Sequence, residues 1–206
     1  MRTDDLIRRL AADLPDGGAT SANGGLGLGG AAGVALVLTI PLSLVLYGLR
    51  VAAPGEATLG VMLWAAMTAA ALWATIRMSR PEPAPPLARF GPLAALLVAM
   101  AAMALMGQVQ GITAFHPTHV MHCAQIIGLL ATAPFLFLCH AMRRQAPSSP
   151  RAAGAMIGLV AGAIGALAYT LSCPIDEMIA ALSAHSLSVL LVAMLGALVG
   201  PSLLTW

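Results

Sequence analysis

Two short stretches of this sequence hold most of the side chains that could perform chemistry. Residues 115–123 contain three histidines and Cys123, and residues 172–177 contain Cys173 followed by two acidic residues. Two thiols that meet can form a disulfide in an oxidising compartment, or can bind a soft metal ion as thiolates. Cysteine is also a small apolar residue that packs between helices, so the pair has a structural interpretation as well.

His119 and His122 are the candidate metal ligands beside Cys123, because a spacing of three places both on one helix face. Their spacing matches no known zinc motif. The third cysteine, Cys139, follows Cys123 by sixteen residues. That separation is about 24 Å along a helix, so we interpret Cys139 as a structural residue that cannot bond Cys123.

The composition shows what kind of element must position these groups. Of the 206 residues, 59% are hydrophobic and only 9% are charged, whereas soluble domains have about 25% charged residues. This balance excludes a soluble globular enzyme and a secreted disulfide-rich domain. A net charge of +2 provides no basic surface for nucleic acid.

Apolar stretches long enough to cross a bilayer account for most of the chain. A spanning helix needs about 20 apolar residues, and continuous apolar runs favour helices over the alternating strands of a barrel. The sequence therefore predicts an all-α integral membrane protein with an N-terminal part, residues 1–28, and a six-helix transmembrane part, residues 29–206. The six predicted spans cover residues 29–49, 57–76, 90–109, 120–142, 152–171 and 179–204.

The arginines predict the orientation of these spans. Nine of the ten fall before the first span or in the connections after the second and fourth spans, and only Arg50 falls on the other side. By the positive-inside rule, both termini are then cytoplasmic. Cys123 at the start of the fourth span and Cys173 at the end of the fifth would meet at the outward face if these spans are antiparallel neighbours. His185 lies in the last span.

Small residues at spacing four indicate how one span packs. Gly154, Gly158 and Gly162 lie on one face of the fifth span, where the absence of side chains permits close backbone approach. We interpret this face as a contact within the bundle, with homodimerisation as the alternative.

The N-terminal part contains a pattern typical of a docking helix. Asp4 and Asp5 follow Thr3, a good helix-capping residue, and an apolar stripe then recurs at helical spacing through Leu6, Ile7, Leu10 and Leu14. Pro15 ends the pattern, and residues 16–30 form a Gly-rich tether. Such a helix could bind in a partner's groove or lie on the membrane surface.

Four motifs along the chain resemble those of the NrsF family of membrane-embedded anti-sigma factors. They are Thr3-Asp4-Asp5-Leu6-Ile7-x2-Leu10-Ala11-x-Asp13; Ala141-x-Arg143-Arg144-x-Ala146-Pro147-x2-Pro150-Arg151-x2-Gly154; Gly158 and Gly162 with Ala168-Tyr169 and Cys173-Pro174; and Gly196-x3-Gly200-x2-Leu203-Leu204-x-Trp206.

The resemblance implies regulation and no enzymatic activity. It implies a bacterial inner-membrane protein whose cytoplasmic N-terminus sequesters an extracytoplasmic-function (ECF) sigma factor, and whose periplasmic cysteine pair senses heavy-metal or oxidative stress. The implied sensing residues are Cys123 and Cys173, with at most a transient heavy-metal contact and no resident cofactor. The implied sigma-binding residues are Asp4, Leu6, Ile7, Leu10 and Leu14.

A small metal-linked or redox-linked membrane transporter or thiol carrier is the alternative hypothesis. It would need metal bound at His119, His122 and Cys123, or solute flux across a vesicle membrane. Such an activity would survive deletion of residues 1–20, whereas sigma-factor binding would not.

Overall fold

Six long α-helices make up the described part of the chain. The computed structural model describes residues 5, 27–49, 54–79, 85–145, 147, 149–174 and 177–204, and none of these residues forms a strand. The helices are α1 (Leu28–Tyr47), α2 (Pro54–Met78), α3 (Pro86–Gln110), α4 (Pro117–Arg143), α5 (Pro150–Thr170) and α6 (Met178–Leu204). All six are long and apolar enough to cross a membrane. The prediction of an all-α fold with six helices of this length and composition is confirmed for the described residues.

Proline and glycine set several of the helix boundaries. A proline is the first residue of four helices: α2, α3, α4 and α5. Proline suits the first turn of a helix because it has no N–H that needs a partner and its φ is already helical. α3 ends at Gln110, and the following residue, Gly111, adopts the left-handed conformation at φ 69°. The Gly111 N–H donates to Gln108 O, and the Ile112 N–H donates to Gly107 O at 2.8 Å. These bonds satisfy two of the carbonyls that a helix end leaves open.

α5 lies at the centre of the bundle. In its most apolar segment 83% of the residues are buried, against 17% in α3. α5 contacts α1, α2, α4 and α6. The substantial contacts of α3 are with α2 and α6. Apolar side chains such as Val45, Val98, Val109 and Leu198 are largely exposed on the outside of the bundle. An apolar outer surface of this kind is suited to lipid, in which the helical backbone satisfies its own hydrogen bonds.

Glycines bring α5 and α6 into backbone contact along much of their length. Gly154 lies against Gly196 and Gly200, and Gly158 lies against Val192 and Ala193. Gly162 lies against Val189, so the contacts advance in opposite directions along the two helices, which are therefore antiparallel. We call this contact the glycine seam. The predicted role of Gly154, Gly158 and Gly162 in packing within the bundle is confirmed.

Candidate functional site

Two thiols and an imidazole meet near one end of the bundle. One ligand atom from each of Cys123, Cys173 and His185 lies within 4.8 Å of the other two. We call these residues the thiol–imidazole cluster. The structure holds all three cysteines of the chain as thiols. The prediction that antiparallel helices bring Cys123 and Cys173 together is confirmed, although their sensing role stays a prediction.

Three separate elements supply the cluster. Cys123 lies in the second turn of α4, which starts at Pro117 and therefore places the thiol about 9 Å along the helix. Cys173 follows a turn at the end of α5, in which the Ser172 N–H donates to Tyr169 O at 2.9 Å. His185 lies two turns into α6. A ligand that binds all three residues would therefore join α4, α5 and α6.

The cluster is buried, and its imidazole has no polar partner. Cys123 and His185 are 0% and 1% exposed, and Cys173 is half-buried. Neither Nδ1 nor Nε2 of His185 has a hydrogen-bond partner among the described residues. A buried polar group without a partner costs about 1–3 kcal/mol, and native structures contain few of them. His185 is therefore positioned at a cost to stability, which suggests a function for its ring nitrogens.

Aromatic rings surround His185. Its ring centroid lies 6.3 Å from that of Trp64 on α2 and 5.6 Å from that of Tyr169 on α5. Tyr169 in turn packs edge-on against Tyr47 on α1, at 5.7 Å between centroids. These rings exclude water from the imidazole, and they connect the cluster to α1 and α2.

The two histidines proposed as metal ligands lie beside the cluster and are not members of it. His122 is exposed, with its ring 6.4 Å from Tyr169, and the ring of His119 packs 5.1 Å from that of His116. His116 Nδ1 is hydrogen-bonded to Thr118 Oγ1 at 2.8 Å. The prediction of metal contact at His119 and His122 stays a prediction.

The sequence pattern places His185 in the last span but predicts no role for it. The signal that could have identified it is a lone histidine in a span that has no Asp, Glu, Lys or Arg near it. Cys139 is buried far along α4 from Cys123, in agreement with its structural interpretation. The proposed sigma-binding residues, Asp4, Leu6, Ile7, Leu10 and Leu14, lie outside the described residues, as does Asp176.

These features define a class: a helical protein with six helices long and apolar enough to cross a membrane, and with a buried thiol–imidazole cluster near one end of the bundle. Comparison with known proteins then defines the family. Residues 10–206 match the NrsF family, described as "Negative regulator of sigma F". The chain therefore belongs to the NrsF family, as the resemblance predicted, and the family is regulatory.

Two curated relatives are similar over their full lengths. The "Probable anti-sigma-F factor NrsF" of Azospira oryzae is 32% identical over 221 residues, covering 100% of both chains. The "Anti-sigma-F factor NrsF" of Caulobacter vibrioides is 32% identical over 227 residues, again covering 100% of both chains. No solved structure matches this chain.

Proposed function

We propose that this protein is an anti-sigma factor that holds an ECF sigma factor at the bacterial inner membrane and releases it when Cys123 and Cys173 react with a periplasmic signal. The observation that carries the proposal is full-length similarity, at 32% identity, to two proteins named as anti-sigma-F factors. The similarity includes the N-terminal segment that precedes the first membrane-spanning helix.

The N-terminal helix predicted over residues 3–14 is the proposed sigma-binding element. Leu6, Ile7, Leu10 and Leu14 form an apolar stripe that would occupy a groove in the sigma factor. Asp4 would stabilise the start of the helix through its dipole, and it could also contact basic groups of the partner. Occupation of that groove would block the sigma factor's contacts with RNA polymerase or promoter DNA.

The distribution of arginine supports the proposed orientation. In the described residues, Arg77 and Arg143 lie in the last turns of α2 and α4. Arg89 and Arg151 lie in the first turns of α3 and α5. With antiparallel neighbours, these four positions lie on one side of the membrane, and the positive-inside rule makes that side cytoplasmic. The thiol–imidazole cluster then belongs to the periplasmic half of the bundle.

The thiol pair supports sensing of oxidants or heavy metals. A disulfide needs about 2.05 Å between the sulfurs, so Cys123 and Cys173, now within 4.8 Å, would have to approach each other. Oxidation would convert two thiols into one disulfide, with two electrons and two protons passing to the oxidant. Cys173 is half-buried, and it gives the oxidant or metal access to the pair.

Packing around α5 offers a mechanical connection from the cluster to the N-terminal segment. Ser43 Oγ of α1 donates to Ala168 O of α5 at 3.1 Å, and Tyr47 packs against Tyr169. α1 begins at Leu28, so residues 28–30, which the sequence pattern assigned to the tether, are helical. A shift of α5 and α6 at the cluster would therefore move the helix from which the sigma-binding segment extends.

Capture of the sigma factor tests the proposal. Tagged full-length protein is purified from its own membranes in mild detergent, beside Leu6→Asp/Leu10→Asp and the matched control Ala12→Asp on the predicted opposite face. We expect a sigma factor of the ECF class with the full-length protein and with Ala12→Asp, and its loss with the double variant. Absence of any sigma factor from all three samples would contradict the proposal.

A further inference from the structure

We propose that Cys123, Cys173 and His185 form a three-ligand site for a soft divalent cation of the Zn²⁺ and Cd²⁺ class, with the His185 imidazole as the third ligand. The inference rests on the proposed function only for the effect of the metal, which would be release of the sigma factor through the same two cysteines. Binding of the metal itself does not depend on a sigma factor.

The donor set fits this class of ion. Thiolate sulfur selects soft and borderline ions, and imidazole nitrogen suits Zn²⁺ and its congeners. Two sulfurs and one nitrogen form a Cys₂His set, which proteins use for zinc with the fourth position left to water. Hard cations such as Mg²⁺ and Ca²⁺ require oxygen ligands, and the cluster supplies none.

The separation of the ligand atoms is also close to that of a tetrahedral site for this class of ion. With Zn–S bonds of about 2.3 Å, two thiolates of a tetrahedral site lie about 3.8 Å apart. The three ligand atoms now lie within 4.8 Å of one another. Side-chain rotation and a movement of about 1 Å would therefore bring them into coordination distance of one ion. That contraction draws α4 and α6 toward the segment after α5.

Charge balance selects a divalent ion. On binding, each thiol loses its proton to solvent, and two thiolates with a neutral imidazole hold one M²⁺ in a complex of zero net charge. A neutral complex can remain in a buried, low-dielectric site, where an uncompensated charge is costly. A monovalent Cu⁺ or Ag⁺ bound to the same two thiolates would leave a net negative charge in that site.

His185 has the features of a ligand and lacks those of a packing residue. Its ring is 1% exposed, and both nitrogens are without hydrogen-bond partners among the described residues, yet one of them lies within 4.8 Å of both sulfurs. A histidine buried for structural reasons normally donates one ring N–H to a carbonyl or hydroxyl. For His185, the polar neighbours of the ring are instead the two thiols.

Titration with Cd²⁺ tests the site in the purified full-length protein, reduced and in detergent. Cadmium–thiolate charge-transfer absorption reports the sulfurs, and ¹H–¹¹³Cd correlation through the imidazole protons reports His185 directly. We expect one Cd²⁺ per chain. Cys123→Ser and Cys173→Ser should each lose the wild-type absorption, and His185→Gln should weaken binding by at least about tenfold, since even residues that only support a ligand contribute that much.

Matched histidine variants identify the nitrogen ligand. His140→Gln, an exposed histidine at the far end of α4, should bind Cd²⁺ as the wild type does. Wild-type affinity in His185→Gln, or a ¹¹³Cd correlation to His119 or His122 in the wild-type protein, would overturn the assignment. The ¹¹³Cd spectrum decides the question in the wild type even if His185→Gln fails to fold. Sigma-factor capture by metal-free protein is measured separately, so failure of metal binding and failure of the anti-sigma role are distinguishable.

Discussion

The thiol–imidazole cluster and the glycine seam both include residues of α6, but the two regions are packed in opposite ways. His185 in the cluster and its neighbour Trp64 bury polar atoms that have no hydrogen-bond partner among the described residues. Along the seam, glycines bring the two backbones together so closely that a single added methyl group would collide. The comparison shows a region with unpartnered polar atoms, where the proposed metal would bind, beside a region whose two backbones are in close contact.

Substitution in the glycine seam should have the largest effect on stability. A Cβ atom at Gly158 would lie 2.6 Å from Val192 O and 2.9 Å from Ala193 Cα, and both are backbone atoms that cannot rotate away. We expect Gly158→Ala to lower the free energy of unfolding by about 1–3 kcal/mol, the usual cost of overpacking. Thermal unfolding in detergent measures it.

Gly33→Ala is the matched control for the seam. Gly33 is an exposed position in α1, and nothing lies within 4 Å of an added Cβ. The substitution should leave stability unchanged or raise it by up to about 1 kcal/mol, since alanine favours helix over glycine. Equal melting temperatures for Gly158→Ala and Gly33→Ala would show that the seam is not close-packed.

Substitution at the cluster should change the free energy of unfolding in the opposite direction, by raising it. His185→Leu replaces a buried polar ring without partners by an apolar side chain of similar size, and such replacements are neutral or stabilising. We expect the metal-free protein to gain about 1 kcal/mol of stability while losing the imidazole ligand. The melting temperature of metal-free His185→Leu checks this, beside His140→Leu as an exposed control. A clear loss of stability in His185→Leu alone would show that the imidazole is a structural residue.

The smallest effect is expected at the contact between α1 and α5. Ser43 is fully buried, and its hydroxyl donates to Ala168 O. Ser43→Ala removes this one hydrogen bond and should cost about 0.5–1.5 kcal/mol. Ser202→Ala, which removes an exposed hydroxyl bonded to Val199 O within α6, is the control and should cost less. If α1 transmits the signal, Ser43→Ala should also reduce metal-induced release of the sigma factor.

Some of this architecture could be predicted from sequence because it depends on length and spacing. Apolar runs of about 20 residues predicted the six helices, and helix direction predicted that Cys123 and Cys173 meet. The spacing of four between Gly154, Gly158 and Gly162 predicted a close contact. Each of these predictions requires only the geometry of a helix.

The role of His185 could not be predicted in the same way. Whether a histidine within a span faces lipid or the bundle depends on the rotation of the helix, and packing against neighbouring helices sets that rotation. α6 is apolar on all sides, so its pattern indicates no preferred face. The contacts of the glycine seam fix the rotation of α6, and they thereby turn His185 toward the two cysteines.

Release of the sigma factor from reconstituted protein measures whether the cysteine pair controls sigma-factor binding. Full-length protein in proteoliposomes, with the proposed cytoplasmic side outward and a sigma factor bound, is exposed to Cd²⁺ enclosed in the lumen. We expect the wild-type protein to release the sigma factor and the double variant Cys123→Ser/Cys173→Ser to retain it. Retention by the wild-type protein, or equal release from both proteins, would contradict the claim that this cysteine pair controls the sigma factor.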